Sequence, residues 1–301
     1  MKIGIIVPQG WTREFKGWDA NDAWSRTRDV AWQAESLGFE SIWLFDHFHT
    51  VPRPTPEITF EAFTSLSALA AETRRVRLGH VVLCSAYRNP ALTTKMISTL
   101  DVISGGRAEL GLGAGWKRDE WLAYGYGFPS ARERLAILKD QLEIARAMMN
   151  EESASYEGQH ASVEGAINRP LPVQQPRVPI MVGGNGPEVT WRLAARYADE
   201  LNLDGMTPAE VAEALPVIRS RCEEVGRDPA TLTVSIHVWW EQLSTRGQQR
   251  ADLVGAYAEL GMSRLIGLIR ESVDSDDALA AWAGDARSGG ADLMASHALG
   301  A

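Results

Sequence analysis

Short apolar, β-branched runs alternate with longer amphipathic stretches along almost the whole of this 301-residue chain. Eight runs read as strands: Lys2–Val7, Ser41–Phe45, Val76–Leu83, Arg107–Leu112, Pro179–Val182, Glu200–Leu203, Leu232–His237 and Arg264–Leu268. Between them lie eight helical patterns, at Asp22–Leu37, Glu57–Glu72, Pro90–Val102, Ala131–Asn150, Pro187–Ala198, Thr207–Val225, Arg246–Leu260 and Asp274–Ala286. Such alternation means βα units. Consecutive apolar positions, as in Ile5-Ile6-Val7 and Ile42-Trp43-Leu44-Phe45, suit strands of a parallel sheet covered on both faces. An open doubly wound sheet needs a Gly-rich turn after its first strand, and Pro8-Gln9-Gly10-Trp11 is not one. The expected fold is therefore a (β/α)₈ TIM barrel forming a single domain over residues 1–301. One stretch breaks the rhythm: residues 155–176, between the fourth helix and fifth strand, read as an inserted Gly-turn hairpin followed by Pro170, Pro172 and Pro176. The small, Gly-rich residues 290–301 are expected to fray.

Composition narrows function. There are 39 acidic and 30 basic residues, a formal charge of −9, which argues against a nucleic-acid partner. Cys84 and Cys222, the two cysteines, cannot build a disulfide framework. The opening Met1-Lys2-Ile3-Gly4-Ile5-Ile6-Val7 reads as a strand, neither a secretory leader nor a membrane span, so a cytoplasmic protein is expected.

In a barrel of this kind, ligands meet the loops after the strand C-termini. Strand two ends in Asp46-His47-Phe48-His49, which places imidazoles that titrate near neutrality, and a carboxylate, on that face. His47 is the candidate proton donor, with His49 a weaker one. The His-x-His spacing also occurs in metal-dependent hydrolases, but His237 is the one further histidine at a strand end, since His160 sits in the hairpin and His297 in the tail; no metal site is expected. Pro179 to Glu188 reads strand, glycine loop, helix, with Pro187 at the first helical position; the amides of Gly183, Gly184, Asn185 and Gly186 could cradle a phosphate. Gly111-Leu112-Gly113-Ala114-Gly115-Trp116 fails the dinucleotide fingerprint, because Trp116 stands at the third glycine, and reads instead as a floor for a flat ring flanked by Trp116. Glu120 follows in an aromatic loop. On strand three, His80 and Cys84 could point inward; Asn89-Pro90 reads as a helix cap, and Arg88 as an anion candidate.

Taken together, Ser41-Ile42-Trp43-Leu44-Phe45-Asp46-His47, Arg88-Asn89-Pro90-Ala91-Leu92, Asp101-Val102-Ile103-Ser104-Gly105-Gly106-Arg107, Gly111-Leu112-Gly113-Ala114-Gly115-Trp116 and Val182-Gly183-Gly184 resemble the luciferase-like monooxygenase superfamily, and within it the F420-dependent oxidoreductase branch. The resemblance runs from Met1 to about Asn202 and is loose thereafter. It implies a barrel, usually dimeric, that binds a deazaflavin or flavin at the strand C-termini, with Asp46, His80, Val81, Val82, Gly113, Gly115 and Trp116 around the ring. It also implies a cis peptide at Val81–Val82 behind the ring, His47 beside the reactive carbon, and phosphate on Gly183, Gly184 and Asn185. In the sugar-phosphate dehydrogenase branch a glutamate stands where this chain has Trp116, so sugar-phosphate oxidation is not expected; Glu120 is the nearest substitute acid. The implied activity is hydride transfer between F420 and a small substrate bearing an activated C=C, C=N or C=O bond. The alternatives are an FMN-dependent monooxygenase with a separate reductase and a non-catalytic flavin-binding protein.

Overall fold

In a computed structural model describing residues 1–295, the strands are β1 (Lys2–Ile6), β2 (Ser41–Leu44), β3 (Arg77–His80), β4 (Leu83–Cys84), β5 (Ala108–Gly113), β6 (Ala154–Glu157), β7 (Ser162–Ala166), β8 (Ile180–Gly183), β9 (Glu200–Asp204), β10 (Thr233–Val238) and β11 (Arg264–Leu268). The parallel order β3-β2-β1-β11-β10-β9-β8-β5-β4 closes on itself through Leu78↔Ala108, and β3 and β4 together make one stave, giving an eight-staved cylinder. Its helices are α1 (Ala20–Leu37), α2 (Ala62–Glu72), α3 (Pro90–Ser104), α4 (Arg118–Ala123), α5 (Ala131–Asn150), α6 (Thr190–Tyr197), α7 (Pro208–Glu224), α8 (Gln248–Glu259) and α9 (Asp276–Ser288). Among the described residues no helix is long and apolar enough to cross a membrane. The hairpin β6–β7 turns at Gly158, whose N–H donates to the Ala161 carbonyl. Of the tail, Asp292 bridges Lys2 and the Met294 N–H donates to Gly38; residues 296–301, including His297, lie outside the described residues.

Three elements differ in their bounds from the periodicity reading. Strand three, one unbroken run from Val76 to Leu83 by its apolar pattern, is divided around a cis peptide between Val81 and Val82, the bond that the family resemblance implies. The second helix begins at Ala62, not Glu57, because the Gln9 side chain and main chain both bond Phe60 and draw residues 57–60 across the first loop. The Glu61 carboxylate then caps α2 by accepting from the Phe63 and Thr64 amides. The fifth barrel helix, α6, starts at Thr190, since Pro187–Val189 form a turn. The cap at Asn89 with Pro90 is as read.

The cylinder is filled in layers. At its base, buried Arg264 bonds Glu109 and Glu40, and Arg77 joins the same Glu109 carboxylate. Burial pushes the Glu109 carboxyl up, but the two guanidinium groups outweigh it and hold it near 2. Above this layer lies Trp43, its Nε1 donating to Ser41 Oγ at 2.8 Å and the Arg264 guanidinium 5.1 Å from its ring. Gly4 and Gly79 face it, and a Cβ at either would come within 2.7 Å or less of the indole. Trp43 thus plugs the barrel and sets the depth of the opening above it.

Gly111 tests this packing. A Cβ there would lie 1.9 Å from the His80 carbonyl oxygen, so backbone must move. Gly111→Ala should cost about 2 kcal/mol or more and lower the Tm by roughly 4–8 °C. Gly284→Ala in α9, where a Cβ meets nothing within 4 Å, should be neutral or stabilising by up to about 1 kcal/mol. Equal melting temperatures for the two variants would refute the packing argument.

Candidate active site

The strand C-termini enclose a cavity of about 400 Å³, within the range of small-molecule sites. Its walls include Trp11, Phe45, His47, Val81, Val82 and Trp239. Phe45 is fixed by Gln9, whose side chain both donates to the Phe45 carbonyl at 2.8 Å and accepts from its amide at 3.0 Å. His47, two residues further on, is held on three sides. Trp11 stacks on it (centroids 4.2 Å apart, planes at 4°), Trp116 meets it edge-on at 5.9 Å, and Nδ1 bonds Glu120 Oε2 at 2.7 Å. A carboxylate on Nδ1 fixes the proton there and leaves Nε2 as the nitrogen that can face a ligand.

Glu120 does not line the cavity. It is fully buried behind His47, where Oε1 accepts from the amides of Phe48 at 2.8 Å and His49 at 3.3 Å. Burial raises its carboxyl, yet the hydrogen bond and charge of His47 and the two amides outweigh burial and bring it below the ordinary value. An ionised, enclosed carboxylate orients an imidazole; it does not reach a substrate. The direct acid role expected for Glu120 is therefore corrected to that of a positioning residue. His49 lies off the cavity, its Nε2 buried without a hydrogen bond among the described residues.

Asp46 reaches the wall, but its oxygens are engaged: Arg88 donates to both at 2.8 and 2.9 Å, and the Cys84 amide to one at 2.9 Å. It clamps the chain just past the cis peptide, and Arg88, further bonded to Glu61, is not available to a ligand anion. His80 corrects the sequence reading outright. Its ring lies outside the cylinder, 4.6 Å from Phe63 of α2, both nitrogens buried without a hydrogen bond among the described residues, and burial pushes it down to about 4. It is a neutral packing residue. Cys84 does border the cavity, and burial pushes its thiol up to about 12, disfavouring the thiolate.

The glycines are placed as expected for a different reason. The missing side chains of Gly113 and Gly183 accommodate Val82, whose methyls would lie 2.6 and 2.8 Å from a Cβ at either position. Gly115, at φ +76°, gives room to Cys84 and Trp121. The floor is thus Val81 and Val82 themselves, seated on glycine. Trp116 is 61% exposed at the rim.

In the loop after β8, the Gly184 amide donates to Asn202 and the Asn185 side chain is clasped to Asp204 in both directions, at 2.7 and 2.9 Å. The main-chain amides of Asn185 and Gly186 make no hydrogen bond among the described residues and are the two available to an anion. Gly183, Gly184 and Asn185 border the cavity; Gly186 lies beside it, a Cβ there meeting Thr190 Oγ1 at 2.8 Å. The Gly184 amide is thus withdrawn from the expected four-amide cradle.

Sequence reasoning assigned no role to the opposite wall. There His237 Nδ1 donates to Asp204 Oδ1 at 2.8 Å, with Phe45 and Trp239 packed edge-on against the ring. The available signal was a histidine at the end of one strand and an aspartate at the end of its neighbour. Among the described residues no group of three or more His, Cys, Asp and Glu converges as a metal site.

The model of the luciferase-like monooxygenase family matches residues 1–299. An F420-dependent glucose-6-phosphate dehydrogenase of Kineococcus radiotolerans is 35% identical over 216 residues, covering 70% of this chain and 62% of that one. An F420-dependent secondary alcohol dehydrogenase, solved with an F420–acetone adduct, superposes with a TM-score of 0.77 at 19% identity, covering 93% of this chain and 98% of its own. The FMN complex of the oxygenating component of 3,6-diketocamphane monooxygenase from Pseudomonas putida has a TM-score of 0.63 at 21% identity, covering 80% and 67%.

Glu120→Gln should destabilise the protein by about 1–3 kcal/mol at neutral pH, because one acceptor oxygen is lost among four donors, His47, Phe48, His49 and Tyr87. The carboxyl's folded value is depressed, so its stabilisation is present above the ordinary carboxylate value and disappears as the pH falls through the folded one. The stability gap between wild type and variant, read by denaturant unfolding, should therefore narrow in acid; a gap independent of pH would refute the pairing.

Proposed function

The chain belongs to the luciferase-like monooxygenase family, and from that premise we propose that it transfers a hydride between coenzyme F420 and a small organic substrate, reducing an activated C=C, C=N or C=O bond. The observation that carries this reading is the composition of the barrel mouth. A largely apolar cavity backed by Val81 and Val82 presents the imidazole of His47, whose far nitrogen is held by a buried carboxylate, with a second imidazole, His237, on the opposite wall.

The residues present fit such a coenzyme. Val81 and Val82 would back a flat ring, Trp11 and Trp116 would flank it, and the amides of Asn185 and Gly186 would hold an anionic tail. When bound, the deazaflavin supplies or accepts the hydride, its carbon in place of the flavin nitrogen disfavouring one-electron and oxygen chemistry. The chain's own tasks are then orientation, exclusion of water and proton supply. His47 Nε2 delivers the proton, and Glu120, fixed by two amides, keeps Nδ1 protonated and stabilises the imidazolium from which that proton leaves. Trp116 at the rim, where the sugar-phosphate branch has a glutamate, favours an organic acceptor over a sugar phosphate.

Two findings support the coenzyme assignment: the Kineococcus relative is named F420-dependent, and a solved neighbour of the same fold carries an F420 adduct. The FMN complex of another neighbour supports a second reading, an FMN-dependent monooxygenase on the same barrel.

Separate equilibrium titrations of the purified protein with F420 and FMN decide between them. F420 should bind more tightly, and tighter FMN binding would transfer the assignment. His47→Ala should leave F420 affinity within about threefold while cutting turnover roughly 10²–10⁴-fold. Undiminished turnover would remove His47 from the mechanism.

A further inference from the structure

We infer that the substrate is a flat, conjugated organic anion, bound in a second cavity that opens off the first. This second space, of about 830 Å³, shares Trp11, Trp116, Lys117 and Trp239 with the ring cavity, so a molecule within it adjoins whatever the ring cavity holds.

Its walls and its rim differ in character. Trp11 and Trp239 stand 6.0 Å apart and tilted at 40°, and Trp240 lies at 87° to Trp239 at 5.3 Å, so indoles bound the space on several sides. Aromatic walls of this kind favour a planar guest with a π-system, through burial and through edge or offset stacking. The charges are cationic, although the whole chain carries −9. Four cations border the space against one carboxylate, Glu241. Two of the four are neutralised: Arg13 pairs with Glu57 at 2.9 Å and Lys117 with Asp119 at 2.8 Å. Lys16 and Arg270 have no ion pair among the described residues. Arg270 lies over Trp240, 5.3 Å from its centroid, and one of its nitrogens donates to the Thr12 carbonyl at 3.1 Å. That contact fixes the guanidinium while leaving most of its donors unused, the arrangement that recognises a carboxylate or similar anion. A guest whose ring stacks among the indoles and whose anion meets Arg270 and Lys16 directs its uncharged end toward the shared opening, where Trp11 carries His47 on its face.

The assignment of this guest as substrate rests on the proposed hydride-transfer reading; the binding preference does not. Calorimetric titration of the full-length protein with naphthalene carboxylate, naphthalene carboxamide and naphthylmethylammonium tests it. The carboxylate should bind roughly tenfold more tightly than the carboxamide, and the ammonium most weakly. Arg270→Gln combined with Lys16→Gln should abolish the preference for carboxylate over carboxamide, while Trp240→Leu weakens both. Equal affinities in the wild type, or an unchanged preference in the double variant, would overturn the inference. F420 titrated into the same proteins separates the two readings. Coenzyme binding without charge preference sinks this inference alone, whereas charge preference without coenzyme binding sinks the coenzyme reading and leaves the anion site standing.

Discussion

The His80 carbonyl oxygen and the Val82 side chain occupy the volume that side chains at Gly111, Gly113 and Gly183 would need. Those three glycines lie on two neighbouring staves, β5 and β8, so the break in the third stave is accommodated by two others. The accommodation allows Val81 and Val82 to form a floor above Trp43. It also brings the Cys84 amide within reach of Asp46, and so fixes the approach of the segment that carries His47. Close packing makes this an all-or-none arrangement, because interiors tolerate little added volume.

The barrel was legible because its signal is local. Doubly covered strands read as apolar runs and helices as amphipathic periods, and the cap at Asn89 with Pro90 depends on neighbours alone. The helix starts at Ala62 and Thr190 were not legible, because one is set by Gln9 and the other by a turn that no side chain caps. His80 illustrates a further limit. A strand buried on both faces is apolar at every position, so its sequence carries no phase and cannot say which alternate residues point inward. Here Gly79 faces Trp43 and His80 faces α2. His47 was legible from its place at a strand end, whereas the task of Glu120 depends on a contact 73 residues away in sequence.

The glycine-rich segments show how one composition serves several ends. Gly113 and Gly183 yield space to protein, Gly115 turns the chain, and Gly184 donates its amide within the sheet. Reading all of them as ligand contacts was reasonable from sequence, since each use demands the same missing Cβ. What distinguishes them is the identity of the opposing atom, which only the folded chain supplies.

Asp204 joins two parts of the opening that otherwise lie on separate elements. Its main chain is clasped by the Asn185 side chain, and its carboxylate steers His237. One residue on β9 therefore stands between the β8 loop and the imidazole on β10. The loop and the imidazole thus share one hydrogen-bonding partner, so the two sides of the opening are tied by a single residue.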